Sequence, residues 1–144
     1  MNDVVVGVDR TETARIAAEA AARLAADREC NLHLVMCVDR SHRVDITIGS
    51  DRFFSDSVSE AGDFLRSLEA SLPHGTITRC VGSGDPADML CAEAVRLDAS
   101  TIVVGNRRVQ GASRLLGSVA VSVLRSAPCD VLIAQTTSEG SVPA

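Results

Sequence analysis

Val4-Val5-Val6-Gly7-Val8-Asp9 is the stretch whose reading decides the fold. Its apolar run has no polar alternation, which is the mark of a strand buried on both faces. The run ends on an acid, and residues 13–26 follow with Ala17, Ala20, Ala21 and Leu24 on one helical stripe. Thr11 or Thr13 can cap that helix. A buried strand leading straight into an amphipathic helix is the first half of a βαβ unit.

The same alternation continues along the chain. Leu32-His33-Leu34-Val35-Met36-Cys37-Val38 reads as a second strand, and Thr76-Ile77-Thr78-Arg79-Cys80-Val81 as a shorter third. Between them Val58, Ala61, Leu65, Leu68 and Leu72 share one helical face. Asp85-Pro86 starts a third helix, an acid cap followed by proline, with Ala87, Leu90, Cys91, Ala94 and Leu97 as its buried stripe. Thr101-Ile102-Val103-Val104 is a fourth strand ending at Gly105. A last helix starts near Gly117-Ser118 and stops before Pro128, and Asp130-Val131-Leu132-Ile133-Ala134 is the fifth strand. The expected fold is α/β: a single open parallel five-stranded sheet with helices on both faces. Right-handed crossovers give the strand order 3-2-1-4-5. One domain over residues 1–137 and a frayed tail over 138–144 are expected. The segment from Arg40 to Asp56 shows no clear period; it reads as a surface connection or as a lid over a ligand.

Composition narrows the function classes. The chain has 144 residues, enough for one core, and no Trp or Tyr, so that core is aliphatic. A net charge of -5 without a Lys/Arg block argues against a nucleic-acid surface. No apolar run reaches membrane-spanning length, and Met1-Asn2-Asp3 carries no basic, apolar leader, so a cytoplasmic location is expected. The cysteines Cys30, Cys37, Cys80, Cys91 and Cys129 are odd in number and lack C-x-x-C spacing, which disfavours zinc or a disulfide framework.

A ligand in such a sheet binds beyond the carboxyl ends of the strands, where the strand order reverses. Here that place lies between strands one and four, at Asp9 and Gly105. Asp9 can accept from a ribose hydroxyl or a base amino group, or can cap the next helix. Gly105 lets a ligand approach the backbone. Gly117-Ser118 opens the last helix, whose free N–H groups and dipole favour phosphate. Arg107 and Arg108 add forked positive charge to that loop, with Arg114 further on.

These residues resemble the universal stress protein family over roughly residues 3–135. The likeness rests on Val4 to Asp9, on Leu32 to Asp39, on Gly84-Asp85-Pro86-Ala87, and most of all on Val103-Val104-Gly105-Asn106-Arg107, Leu115-Leu116-Gly117-Ser118-Val119 and Ala127-Pro128-Cys129-Asp130-Val131-Leu132-Ile133. The resemblance implies a flavodoxin/Rossmann-like sandwich that usually dimerises. It also implies an adenine-nucleotide site at Gly7, Asp9, Cys37, Val38, Val104, Gly105, Arg107, Arg108, Gly117, Ser118 and Val119. ATP leads, with or without Mg2+, and AMP and cyclic AMP stay open. The family's nucleotide binders carry G-x-x-G-x9-G-[ST]; here Arg108 replaces the second glycine and the following stretch is one residue shorter. Arg108 either obstructs the phosphate path or supplies charge to it. Arg10-Thr11 likewise replaces the common Gly-Ser after the first strand's acid.

Two functions therefore stand: a nucleotide-binding regulator of the stress response, and a member that has lost nucleotide binding and works through dimerisation and partner contacts. No G-x-x-x-x-G-K-[ST], G-x-S-x-G or H-E-x-x-H occurs, so at most slow ATP hydrolysis is expected. His33, His42 and His74 read as structural or exposed. Val131, Leu132, Ile133 and Ala134 would form an apolar edge strand with no helix after it. Such an edge pairs with another chain, which predicts a homodimer through that strand.

Overall fold

The computed structural model describes residues 2–38, 45–48, 51–54, 57–72, 75–106 and 117–135. In chain order the elements are β1 (Val4–Val8), α1 (Glu12–Arg28), β2 (Leu32–Val38), β3 (Asp45–Ile48), β4 (Asp51–Phe54), α2 (Ser57–Ser71), β5 (Ile77–Ser83), α3 (Pro86–Leu97), β6 (Thr101–Asn106), α4 (Ser118–Ser126) and β7 (Asp130–Gln135). The main sheet is β5-β2-β1-β6-β7, every pair parallel. Counting only its own strands, this is the expected order 3-2-1-4-5.

Buried strands explain the apolar runs. Val4, Val6 and Val8 on β1 join Leu32, Leu34, Met36 and Val38 on β2 in one core cluster with α1 and α2. Val5, Val35, Ile102 and Val104 face the other way, into a second cluster with α3 and α4. Helix α1 presents Ala14, Ala17, Ala18, Ala21, Ala22 and Ala25 to the sheet, all buried. Ala20 and Leu24, expected on the central stripe, lie at the margin of the cluster. So many alanines adjoin one another in this helix that spacing alone leaves the buried face underdetermined.

Two differences from the sequence reading bear on the site and its surroundings. Strand β5 runs on through Gly82 and Ser83, which pair with Cys37 and Val38. A side chain at Gly82 would place its Cβ 2.6 Å from Met89 Cε of α3. The glycine admits the helix rather than ending the strand. The second difference is a correction. Arg40 to Asp56 is not an aperiodic connection, because it contains the antiparallel pair β3–β4, with Asp45 opposite Phe54 and Ile48 opposite Asp51. The overlooked signal is Gly49-Ser50 between two short runs, a two-residue hairpin signature. His42 and His74 lie outside the described residues.

A polar bolt ties the amino ends of the strands. His33 is buried on β2; its Nε2 lies 2.8 Å from Asp3 Oδ2, and its Nδ1 contacts the Thr78 hydroxyl on β5. Asn31 donates to the Asp3 carboxylate from its backbone N and its side-chain Nδ2, each at 3.3 Å. Burial works to raise the Asp3 carboxyl, but the bonds from His33 and Asn31 outweigh it and hold the group below its ordinary value.

Replacing this acid by Asp3→Asn is expected to lower stability near neutral pH by about 1–3 kcal/mol, the range for hydrogen bonds to a charged group and for leaving their partners unmatched. Because the native carboxyl is depressed, its stabilisation is present above the unfolded-chain value near about pH 4. It is lost as pH falls through the lower native value. Urea midpoints of the two proteins should therefore converge on acidification, and a gap that persists at low pH would contradict the assignment.

Candidate functional site

A cavity of about 340 Å³ opens at the carboxyl ends of the central strands, at the reversal between β1 and β6. This is small-ligand size. Its inner wall is apolar, made by Gly7, the buried Val35 and Val104, and Leu90 of α3. Its rim is polar and comes from the amino ends of helices. Asp9, Thr11 and Thr13 stand at the start of α1, Pro86 at the start of α3, and Gly117, Ser118 and Val119 at the start of α4.

The three helix starts are finished differently. Thr11 caps α1, its hydroxyl accepting from Ala14 N at 3.2 Å. Asp85 caps α3, accepting from Asp88 N at 3.0 Å. Helix α4 has Gly117 as its N-cap and no side-chain cap bond. Its first intrahelical donor is Val121 N, bonded to Gly117 O at 3.0 Å. The earlier N–H groups, on Ser118, Val119 and Ala120, have no acceptor within the helix, and all three residues line the cavity. An uncapped helix start beside a ligand-sized hollow is suited to an anion.

Asp9 is held by its own turn. Its Oδ1 accepts from Thr11 N at 2.9 Å and also from the Thr11 hydroxyl. The arrangement is an Asx turn locked to the helix cap, so the carboxylate is positioned before any ligand arrives. Both readings of Asp9 thus apply: it shapes the start of α1 and it faces the cavity. On the opposite rim the Cys37 thiol donates to Gly84 O at 3.0 Å. Gly84 has φ +114, a conformation suited to glycine, and makes the turn into α3. Burial pushes the thiols of Cys80, Cys91 and Cys129 up, and none of these residues lines the cavity. Among the described residues the cavity supplies hydrogen-bonding groups and a helix end.

Of the residues expected at the site, Gly7, Asp9, Cys37, Val104, Gly105, Gly117, Ser118 and Val119 line this cavity. Val38 does not; its side chain is buried in the cluster on the other face. Arg107, Arg108 and Arg114 lie outside the described residues. Val131, Leu132, Ile133 and Ala134 lie on the edge strand β7, away from the cavity, with Leu132 39% exposed. Sequence reasoning missed Val8, Thr11, Thr13, Ala14, Val35, Pro86, Leu90 and Ala120 as cavity residues because strand burial, capping and helical spacing already accounted for them. The signal available was positional, since these residues lie where strands end and helices start around the strand reversal.

Fold and cavity together define an open parallel α/β domain with a cavity at its strand reversal. The chain matches the universal stress protein family over residues 1–135, and it belongs to that family. Among solved structures it resembles a universal stress protein crystallised in complex with cAMP, at 26% identity and a TM-score of 0.72, covering 94% of this chain and 98% of that one. A universal stress family protein from Burkholderia pseudomallei is 29% identical, with a TM-score of 0.64 and coverage of 92% and 94%. The universal stress protein from Archaeoglobus fulgidus in complex with dAMP, 24% identical with a TM-score of 0.66 and coverage of 93% and 98%, shares the fold.

Removing the hydroxyl that links Asp9 to α1 isolates its structural role. Thr11→Ala is expected to destabilise the fold by about 1 kcal/mol, the usual worth of an N-cap. The readout is a lower urea midpoint at unchanged slope; an unchanged midpoint would show that the cap carries nothing.

Proposed function

We propose that this universal stress protein binds an adenine nucleotide in the cavity at the strand reversal, and that it acts as a regulatory module. ATP is the leading ligand, with or without Mg2+; AMP and cyclic AMP are alternatives. One observation carries the reading: the uncapped start of α4 at Gly117-Ser118 shares a single cavity with the preset carboxylate of Asp9. Phosphate suits the helix end, and a ribose hydroxyl or base amino group suits the acid. The relative crystallised with cAMP supports the ligand class. The thiols of Cys80, Cys91 and Cys129 fit a reducing compartment, which favours the cytoplasm.

Arg108 in place of the family's second glycine favours the second reading, a member without nucleotide that works through dimerisation. The exposed apolar Leu132 on edge strand β7 supports a homodimer by antiparallel pairing of that strand under either reading.

Ser118→Asp separates the readings. An acid at the first position of α4 suits the helix dipole, so the fold is retained. Nucleotide phosphate then meets a like charge, and affinity for ATP and AMP should fall by on the order of tenfold or more while adenosine is unaffected. Calorimetry that detects no binding of ATP, AMP or cyclic AMP to the wild-type protein would instead favour the nucleotide-free reading. The dimer is tested by light scattering: the wild type is expected at twice the chain mass, and Leu132→Lys is expected to shift it toward monomer. A monomeric wild type would remove the β7 pairing.

A further inference from the structure

The inner wall of the cavity contains a contact that the family pattern does not single out. Gly7 on β1 and Leu90 on α3 meet there. A Cβ built at Gly7 would lie 2.8 Å from Leu90 Cδ1 and 3.2 Å from Cδ2. The first distance is shorter than carbon atoms tolerate, so Leu90 fills the volume that a side chain at position 7 would claim. Leu90 is 4% exposed, yet it lines the same cavity as Asp9, Gly105 and Ser118. The adjacent residue on α3, Met89, rests in the same way on Gly82 of β5. Strands β1 and β5 flank β2, so two glycines seat the first turns of α3 low over the sheet.

We infer that Leu90, seated on Gly7, sets the depth of the cavity and thereby limits the size of the base it accepts. The inference rests on the adenine-nucleotide reading above. Polar groups line the rim, so phosphate and ribose stay there and the flat ring goes inward onto Val35, Leu90 and Val104. Those side chains offer no hydrogen bond, so the wall selects the ring by shape. Val35 and Val104 are β-branched residues on central strands, with stiff side chains. Leu90 stands on a helix and closes the hollow from the other side, which makes it the adjustable member of the wall.

The test is calorimetric titration of the wild-type chain, Leu90→Val and Gly7→Ala with AMP and two enlarged derivatives. One carries a benzyl group on the exocyclic amine and the other is brominated on the imidazole ring, so opposite edges of the purine are probed. The wild type is expected to prefer AMP over at least one derivative. Leu90→Val should narrow that preference by on the order of tenfold, the effect of a methylene in an apolar pocket. Gly7→Ala, which drives Leu90 into the cavity, should weaken AMP by a factor on the same order. Circular dichroism checks folding. If Leu90→Val does not fold, Leu90→Met keeps the apolar volume but frees the tip, and it should narrow the preference in the same direction. An unchanged preference in every folded variant, with AMP still bound by the wild type, overturns this inference and leaves the nucleotide reading intact. No wild-type binding of AMP, ATP or cyclic AMP overturns both.

Discussion

The handedness of the connections between parallel strands is the constraint on which this structure depends. A crossover between neighbouring parallel strands is right-handed, so the direction in which the chain steps across the sheet decides which face its helix covers. From β1 the chain steps outward through β2 to β5, with α1 and α2 on one face. It then returns past β1 to β6 and β7, with α3 and α4 on the other. The helices that leave β1 and β6 therefore part to opposite faces, and the carboxyl ends of those two strands are left without a shared cover. The cavity is a consequence of that parting.

Small residues determine how close the layers come. The alanine face of α1 brings a helix backbone near β1, while Gly7 and Gly82 let Leu90 and Met89 of α3 settle into the space of absent side chains. The same close approach that completes the core also forms the inner wall of the cavity. Stability and ligand size are consequently coupled at one position. The rim is shaped separately: α1 and α3 have side-chain caps and α4 does not, and that asymmetry marks where an anion is best placed.

Much of this was legible in the residues. Unbroken valine and leucine runs announced a sheet buried on both faces, and the helical spacing between them announced crossovers, which together imply the strand order. Asp85-Pro86 and Gly117-Ser118 marked helix starts that the structure retains. Other features were less legible for physical reasons. The β3–β4 pair is short and relies on a two-residue connection, so it lacks the periodic signal of a long element. The third strand reads as ending early, at Val81, because the role of Gly82 is visible only when α3 is laid across it. Leu90 and Thr13 satisfy ordinary helical expectations and acquire a second role only through the cavity. The cavity residues that carry local signatures, Asp9, Gly105, Gly117 and Ser118, were legible in the sequence. Those defined by tertiary proximity were not.

The family places this chain among proteins of which one similar member was crystallised with a cyclic nucleotide. A preset acid, an open helix start and an apolar wall lie within one hollow, and in the proposed reading each serves a different portion of a nucleotide. The most direct test is to record amide NMR spectra of the labelled protein while AMP is added. The account predicts that the largest shifts fall on Asp9, Gly105, Ser118 and Val119, with the amino-end residues around His33 unmoved. Shifts centred elsewhere, or a spectrum unchanged at saturating AMP, would contradict it.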